Sequence, residues 1–369
     1  MEKQFESRKI FERIHTMKPN YSIDIAINCF RPGGGMESYT FDLVRGLSAH
    51  GIKPTVFAAQ IDTTVPEYRQ VDTHHVNQKK IPKKLRPFFF SMQLAKLRQN
   101  RNIPLIACNP SDYADIFVCG GTHLGYLHNM GKTPNLLDRL IIRRNRTNYS
   151  TAKLIMAHSH LMQHELINLY GVPSEKIHVI HPPADTARFY TKPEEIPATR
   201  ARYGFKDDET IFLFPSTGHT RKGLDLLAEF FEHTDLPIKL AVAGSPLPRP
   251  MDNVIELGFC KNMPELYRAA DFTIMASLYE PFGLVGIESI LCGTRVVFSD
   301  NMACTEVMNE NAGFFFSRQN PETLAQAITQ AVSLKRQGKH KITSPMQALT
   351  YNPTLTHHID QTLNMLKAV

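Results

Sequence analysis

No run of apolar residues in this chain approaches the roughly 18–20 needed to cross a bilayer, so no membrane-spanning helix is expected. The opening M-E-K-Q-F-E-S-R-K-I-F-E-R-I-H carries acids and lacks an apolar centre, which argues against a secretory signal. Cysteine is sparse and scattered: Cys29, Cys108, Cys119, Cys260, Cys292 and Cys304 form no C-x-x-C pair and no zinc-like spacing. That pattern favours free thiols in a reducing cytoplasm. There is no D-x-D stretch, so nothing visible calls for a metal, and no cofactor is expected. Internal repeats and low-complexity tracts are missing as well. What is present is 369 residues, 42% hydrophobic and 21% charged. This is ordinary globular composition at a length comfortable for two domains.

Charge is unevenly spread. Residues 1–185 hold 24 Lys and Arg against 15 Asp and Glu, whereas the remainder holds 18 against 20. The basic half points toward an anionic partner. From Thr73 to Pro110 no acid occurs, and within that span lie Lys79, Lys80, Lys83, Lys84, Arg86, Lys96, Arg98 and Arg101 around Phe88, Phe89 and Phe90. Cations beside exposed aromatics suit an anchor on anionic lipid, each basic side chain adding about 1 kcal/mol near the surface. The same ingredients suit single-stranded nucleic acid, or phenylalanines in a core beneath solvated lysines. A second acid-free stretch, Arg139–His164, adds Arg139, Arg143, Arg144, Arg146 and Lys153. Two such patches favour a membrane surface, and no nucleic-acid partner is expected.

The most informative stretch is Leu278–Asp300, L-Y-E-P-F-G-L-V-G-I-E-S-I-L-C-G-T-R-V-V-F-S-D. It follows a strand-like run, Phe272–Ala276, and opens a helix. Pro281 suits a helix start because it has no N–H to leave unpaired. Gly283, without a Cβ, lets a ligand approach the backbone. The amides from Phe282 through Gly283 and Leu284 to Val285 are then the free donors of a helix N-terminus, which attract phosphate. Glu280 lies just outside this helix and Glu288 one turn inside, four residues beyond Leu284. Carboxylates accept hydrogen bonds from hydroxyls. Two of them flanking an anion site fit a diphosphate with hydroxyls at both ends, that is, a nucleotide sugar.

Strands and helices alternate along the rest. A strand at Ser22–Cys29 runs into Gly33-Gly34-Gly35 and an amphipathic helix, and Pro54–Ala59 is a second strand. Asp115–Tyr126 is a strand leading into Gly120-Gly121 and His123. Lys153–Ser159 precedes a helix at His160–Tyr170 that ends on Gly171. Ile177–His181 then enters P-P-A-D-T-A-R-F, where the first domain ends. The second begins with a strand near Thr210 and turns through Gly218-His219-Thr220-Arg221-Lys222-Gly223. Arg221 and Lys222 are expected to begin a helix, where cations oppose the dipole, so an anionic ligand is implied. Further strands fall at Lys239–Gly244 and Asn253–Phe259, and helices at Met263–Ala270, Pro321–Lys335 and Pro353–Leu366. The expectation is an α/β protein with two doubly wound parallel sheets, whose ligands bind beyond the strands' C-terminal ends.

The 280–288 stretch resembles the E-x7-E signature of retaining GT-B glycosyltransferases. It is most similar to the large family that includes lipopolysaccharide core glucosyltransferases and phosphatidylinositol mannosyltransferases. The resemblance implies two Rossmann-like domains facing a central cleft: an arm at 1–20, an acceptor-binding domain at 21–190, a nucleotide-sugar domain at 191–350, and a C-terminal helix at 351–369 crossing back to the first. It implies a metal-independent hexosyltransferase acting with retention. Arg221 and Lys222 take the donor phosphates, Glu280 the sugar hydroxyls and Glu288 the ribose, with His123 beside the sugar. Gly34 and Gly35 stand in the family's glycine-rich loop, Gly218 precedes the basic pair, and main chain near Phe259 meets the base. The donor would be UDP-, GDP- or ADP-linked. The acceptor would be a glycolipid or lipopolysaccharide core at the inner face of the cell membrane, where the protein would sit peripherally. The competing readings are a GT-B sugar-nucleotide epimerase and a GT-B shell that binds without turnover.

Overall fold

The computed structural model describes residues 22–82 and 85–369. The 1–20 arm, Lys83 and Lys84 lie outside the described residues. Thirteen described strands form two sheets. The first contains β1 (Asp24–Phe30), β2 (Thr55–Ile61), β3 (Asp72–His75), β4 (Leu105–Ala107), β5 (Ile116–Cys119), β6 (Leu154–Ala157) and β7 (Ile177–Val179). The second contains β8 (Thr210–Ser216), β9 (Ile238–Gly244), β10 (Val254–Gly258), β11 (Phe272–Met275), β12 (Arg295–Ser299) and β13 (Gly313–Phe316). The helices are α1 (Gly35–Ala49), α2 (Arg86–Leu97), α3 (His123–Asn129), α4 (Leu136–Thr151), α5 (His160–Tyr170), α6 (Ile196–Tyr203), α7 (His219–Lys222), α8 (Leu224–Glu232), α9 (Met263–Ala269), α10 (Leu284–Leu291), α11 (Pro321–Arg336) and α12 (Leu355–Leu366).

The strand orders are 3-2-1-4-5-6-7 and 10-9-8-11-12-13. Both start in the middle, wind outward to one edge, then reverse and wind to the other, which is the expected doubly wound Rossmann pattern. Each has one point where the order reverses, between β1 and β4 and between β8 and β11. Parallel sheets with helices on both faces bury their strands twice over, so such strands read as continuous apolar runs. β8, T-I-F-L-F-P-S, is buried at every position. It pairs with β9 along its whole length but with β11 only at Phe212 and Leu213. Beyond Leu213 the two strands diverge, and Pro215, with no N–H to offer, sits where no neighbour on that side needs one.

The chain divides into two compact units. One comprises the described residues to Val118 with Thr147–Leu154 and Leu363–Val369; the other comprises Cys119–Arg146 and Ile155–Thr362. In the second unit, Phe212, Phe214, Phe231, Phe272 and Phe298 form the centre of the core and are fully buried. In the first, the Asp24 carboxylate at the start of β1 is completely enclosed and is held by Arg98 at 3.0 Å and Arg101 at 2.8 Å. These two arginines of the basic stretch therefore serve the fold, since an unpaired buried carboxylate would cost several kcal/mol.

The aromatic triplet is corrected in the same region. Phe90 is wholly buried in the core under α2 and Phe89 half-buried, leaving only Phe88 exposed. A helix turns 100° per residue, so three consecutive side chains cannot share one face. The exposed stripe instead runs Leu85, Phe88, Met92 and Lys96, three or four residues apart, with exposed Lys79 and Lys80 just before the helix.

Candidate active site

Both turns at the reversal point of the second sheet carry charged groups. The β8 turn passes through Gly218, the N-cap of α7, to Arg221 and Lys222. The β11 turn passes through Tyr279 and Glu280 to Gly283, the N-cap of α10, in a left-handed conformation at φ 98°. Main chain joins the two turns: the Leu278 amide donates to the Arg221 carbonyl at 2.8 Å and the Ala276 amide to that of Lys222 at 3.3 Å. The Arg221 guanidinium then donates to the Tyr279 carbonyl at 2.8 Å and to Glu280 Oε2 at 2.9 Å. A cation and an acid 59 residues apart in the chain thus meet in the crevice left by the diverging strands.

The segment bearing Glu280 is fixed from every side. Five consecutive carbonyls each accept a hydrogen bond: Leu278 from Asn301 at 3.1 Å, Tyr279 from Arg221, Glu280 from the Ala303 amide at 3.1 Å, Pro281 from the Ser159 hydroxyl at 2.7 Å, and Phe282 from the Cys304 amide at 2.8 Å. A segment held at every peptide needs no reorganisation when charge appears beside it. Past it, α10 starts at Leu284, so Leu284 and Val285 provide first-turn amides with no helical carbonyl to meet. The Phe282 side chain is buried; only its main chain belongs to this edge.

One sequence expectation changes here. Arg221 and Lys222 close the short α7 turn and do not open a long helix, because Gly223 adopts φ 80° between α7 and α8. The dipole penalty argued for them does not arise in that form. Lys222 is held by burial instead: its Nζ donates to the Pro215 carbonyl at 2.9 Å, and desolvation lowers its pKa against the opposing pull of Glu280. Glu288 also feels Lys222. Burial raises its pKa, and the Tyr267 hydroxyl at 3.0 Å, Arg188 and Lys222 oppose the rise.

That direction has a testable sign. A carboxyl whose folded pKa exceeds its unfolded one ionises at a cost to folding, a cost that grows as pH rises and vanishes below the unfolded value. Glu288→Gln, which keeps an acceptor for Tyr267, should therefore raise Tm at about pH 8 and leave it unchanged near pH 4. An equal gain at both pH values, or a loss at the higher one, would contradict this assignment of cause.

His123 opens α3 after its N-cap Thr122, and its Nε2 lies 2.8 Å from Asp138 Oδ1. The Asp138 carboxyl is held below its ordinary range first by the Asn135 amide and then by His123. Gly34 and Gly35 start α1 at the reversal point of the first sheet, in the other unit. Phe259 is exposed just beyond β10. Three residues escaped the sequence reading: Asp138, Tyr279 and Glu165. Glu165 alone left a trace, because it falls with Met162, Leu166 and Tyr170 on the buried face of α5, where an acid requires a partner. Among the described residues no group of three or more His, Cys, Asp or Glu is arranged to hold a metal ion.

The site thus combines two cations and a helix N-terminus with a carboxylate on either side. Comparison with known proteins agrees with the fold. The family model described as "Glycosyl transferases group 1" matches residues 195–344, and that of "Glycosyltransferase Family 4" matches residues 33–188. A probable transglycosylase of Burkholderia thailandensis is 39% identical over 353 residues, 93% of this chain and 96% of that protein. Among solved structures, WaaG, a glycosyltransferase involved in lipopolysaccharide biosynthesis, has TM-score 0.71 at 17% identity, covering 92% of this chain and 95% of that one. Anabaena HepE, solved in complex with UDP-glucose, has TM-score 0.73 at 16% identity, covering 94% and 100%. At such identities the structural likeness speaks for the fold alone.

Proposed function

Because this chain belongs to the group 1 glycosyltransferase family, we propose that it moves a hexose from a nucleoside-diphosphate sugar to a lipid-linked or lipopolysaccharide-core acceptor. The observation that carries the reading is the Arg221–Glu280 pair, 2.9 Å apart in the crevice between β8 and β11. Breaking the sugar–diphosphate bond builds negative charge on the leaving phosphate. Arg221, Lys222 and the amides of Phe282, Gly283, Leu284 and Val285 stabilise that charge where it develops, which lowers the barrier without requiring a metal. Glu280 holds donor-sugar hydroxyls, Glu288 with Tyr267 holds the ribose, and His123, oriented by Asp138, serves the sugar. The leaving phosphate accepts the acceptor's proton, so neither glutamate acts as a nucleophile and the anomeric configuration is retained.

The test is a thermal-shift panel of UDP-, GDP- and ADP-sugars headed by UDP-glucose, followed by assay of released nucleoside diphosphate with and without glycolipid. A ligand at 100 times its Kd stabilises by about 2.7 kcal/mol. No shift with any donor would end this reading. Diphosphate release without transfer to any acceptor would favour an epimerase.

The acceptor side rests on the stripe Leu85–Phe88–Met92 beside Lys79, Lys80 and Arg86, which suits a cytoplasmic, peripheral position on an anionic membrane face. Among the described residues no helix is long and apolar enough to cross a membrane. Flotation with anionic vesicles should fall at least about tenfold in a Phe88→Ser, Met92→Ser variant, at one stated salt concentration, the loss of two apolar anchors being worth over 1.4 kcal/mol. Undiminished flotation would remove the membrane from the proposal.

A further inference from the structure

Beneath the site lies a buried acid to which the proposed chemistry gives no task. Glu165 is 3% exposed. Its Oε2 receives the Thr122 hydroxyl at 2.5 Å and the Tyr279 hydroxyl at 2.9 Å. The donors are oriented by their own partners. The Thr122 oxygen accepts from the Gly125 amide at 3.0 Å, which directs its hydrogen to Glu165. The Tyr279 oxygen lies 3.5 Å from the Thr122 amide, which donates to it. All of these residues belong to one unit.

The arrangement is costly. Oε1 of Glu165 is buried with no hydrogen-bond partner. Burial also raises the carboxyl's pKa, with His164 and His128 opposing more weakly than the two hydroxyls. The chain gives up a side chain to fit it, since a Cβ on Gly125 would overlap both carboxylate oxygens. Apolar residues at positions 165, 122 and 279 together, leucine taking the place of the acid, would bury similar area with no unsatisfied oxygen, and buried polar clusters replaced whole by apolar groups often gain stability. The cost goes with a connection that leucine cannot make. Thr122 is the residue before His123, and Tyr279 is the residue before Glu280.

We propose that Glu165 is a positioning residue, whose carboxylate ties the turn bearing His123 to the segment bearing Glu280 and so sets turnover more than donor affinity. The inference rests on the donor-site reading above. Through Tyr279 the tie reaches further, because the carbonyl of Tyr279 accepts from Arg221 and its neighbour Glu280 pairs with the same guanidinium. Misplacement of such a segment by about 1 Å costs on the order of 100-fold in rate.

The experiment uses the full chain with Glu165→Leu, Glu165→Gln, Tyr279→Phe and the Leu–Phe double variant. Glu165→Leu should lower kcat about 30- to 100-fold while the donor KM stays within about threefold. Glu165→Gln, whose amide oxygen accepts both hydroxyls, should recover most of that loss. The double variant should be no worse than Glu165→Leu alone, because both changes cut one tie. Amide hydrogen exchange gives a readout that needs no turnover: in Glu165→Leu, residues 119–125 and 277–282 should both exchange faster, with the rest unchanged. A loss confined to KM, a Gln variant no better than Leu, additive losses, or faster exchange in one segment only would overturn the proposal. A wild-type chain inert toward every nucleotide sugar would count against the donor reading instead, and the exchange result would still decide whether Glu165 joins the two segments.

Discussion

Replacing Arg221 and Lys222 together by methionine is expected to lower kcat/KM for the donor by about 1,000-fold or more, since single preorganised donors to a developing anion are worth 10²–10³. Methionine keeps the stems and removes the charges, so packing is little disturbed. The effect should divide between the two residues in a recognisable way. Arg221 is a third exposed and pairs with Glu280, so its loss frees that acid as well as removing a donor. Lys222 is more enclosed, and burial already opposes its charge, so Lys222→Met should cost donor binding while leaving Tm unchanged or raised. Steady-state kinetics with isothermal titration of the nucleoside diphosphate would read both. Turnover surviving the double change would show that the crevice between β8 and β11 is not where the phosphates go.

Gly223→Ala should be the most destabilising single methyl group in the site. Gly223 adopts φ 80°, and a Cβ there would overlap the carbonyl oxygen of Ala276 and meet the Arg318 guanidinium that already bonds that carbonyl. Relief requires prying the β8 turn from the β11 turn, which breaks the main-chain bonds at Arg221 and Lys222. Strain and overlap together are worth about 3 kcal/mol or more, or a fall in Tm of roughly 6–12 °C for a unit of this size. Gly338 provides the control: its φ is 68°, yet a Cβ would meet nothing. Gly338→Ala carries only the backbone term, about 1 kcal/mol. Equal falls in the two variants would mean that conformation alone, and not the fit between turns, demands glycine at 223.

The contrast between those glycines marks where sequence reading stops. The sequence places Arg221 and Lys222 beyond a strand, at what reads as a helix start, whereas they close a short turn at Gly223. That Ala276 lies against Gly223 is a contact across 53 positions, which no local pattern encodes. Strand β8 and helix α5 were legible for the opposite reason. An unbroken apolar run and a stripe at 3.6-residue spacing closed by Gly171 are properties of neighbours in the chain. Short strands such as β3, β4 and β13, with three or four residues each, carry too little pattern to stand out. The basic stretch was legible as charge but not as geometry. Helical rotation separated Phe90 from Phe88, and the buried Asp24 took Arg98 and Arg101.

The amino-acid order by itself determined two parallel α/β sheets, the strand-to-helix turns that gather the charged residues, and the residue types in those turns, since each follows from spacing along a few neighbours. Only the tertiary structure decided which charges meet. The pairing of Arg221 with Glu280 arises where β8 and β11, distant in sequence, lie side by side, that of His123 with Asp138 joins two successive helices, and Glu165 is buried between Thr122 and Tyr279, 157 positions apart. There the energy of a buried polar group depends on the atom opposite it, which local sequence does not specify.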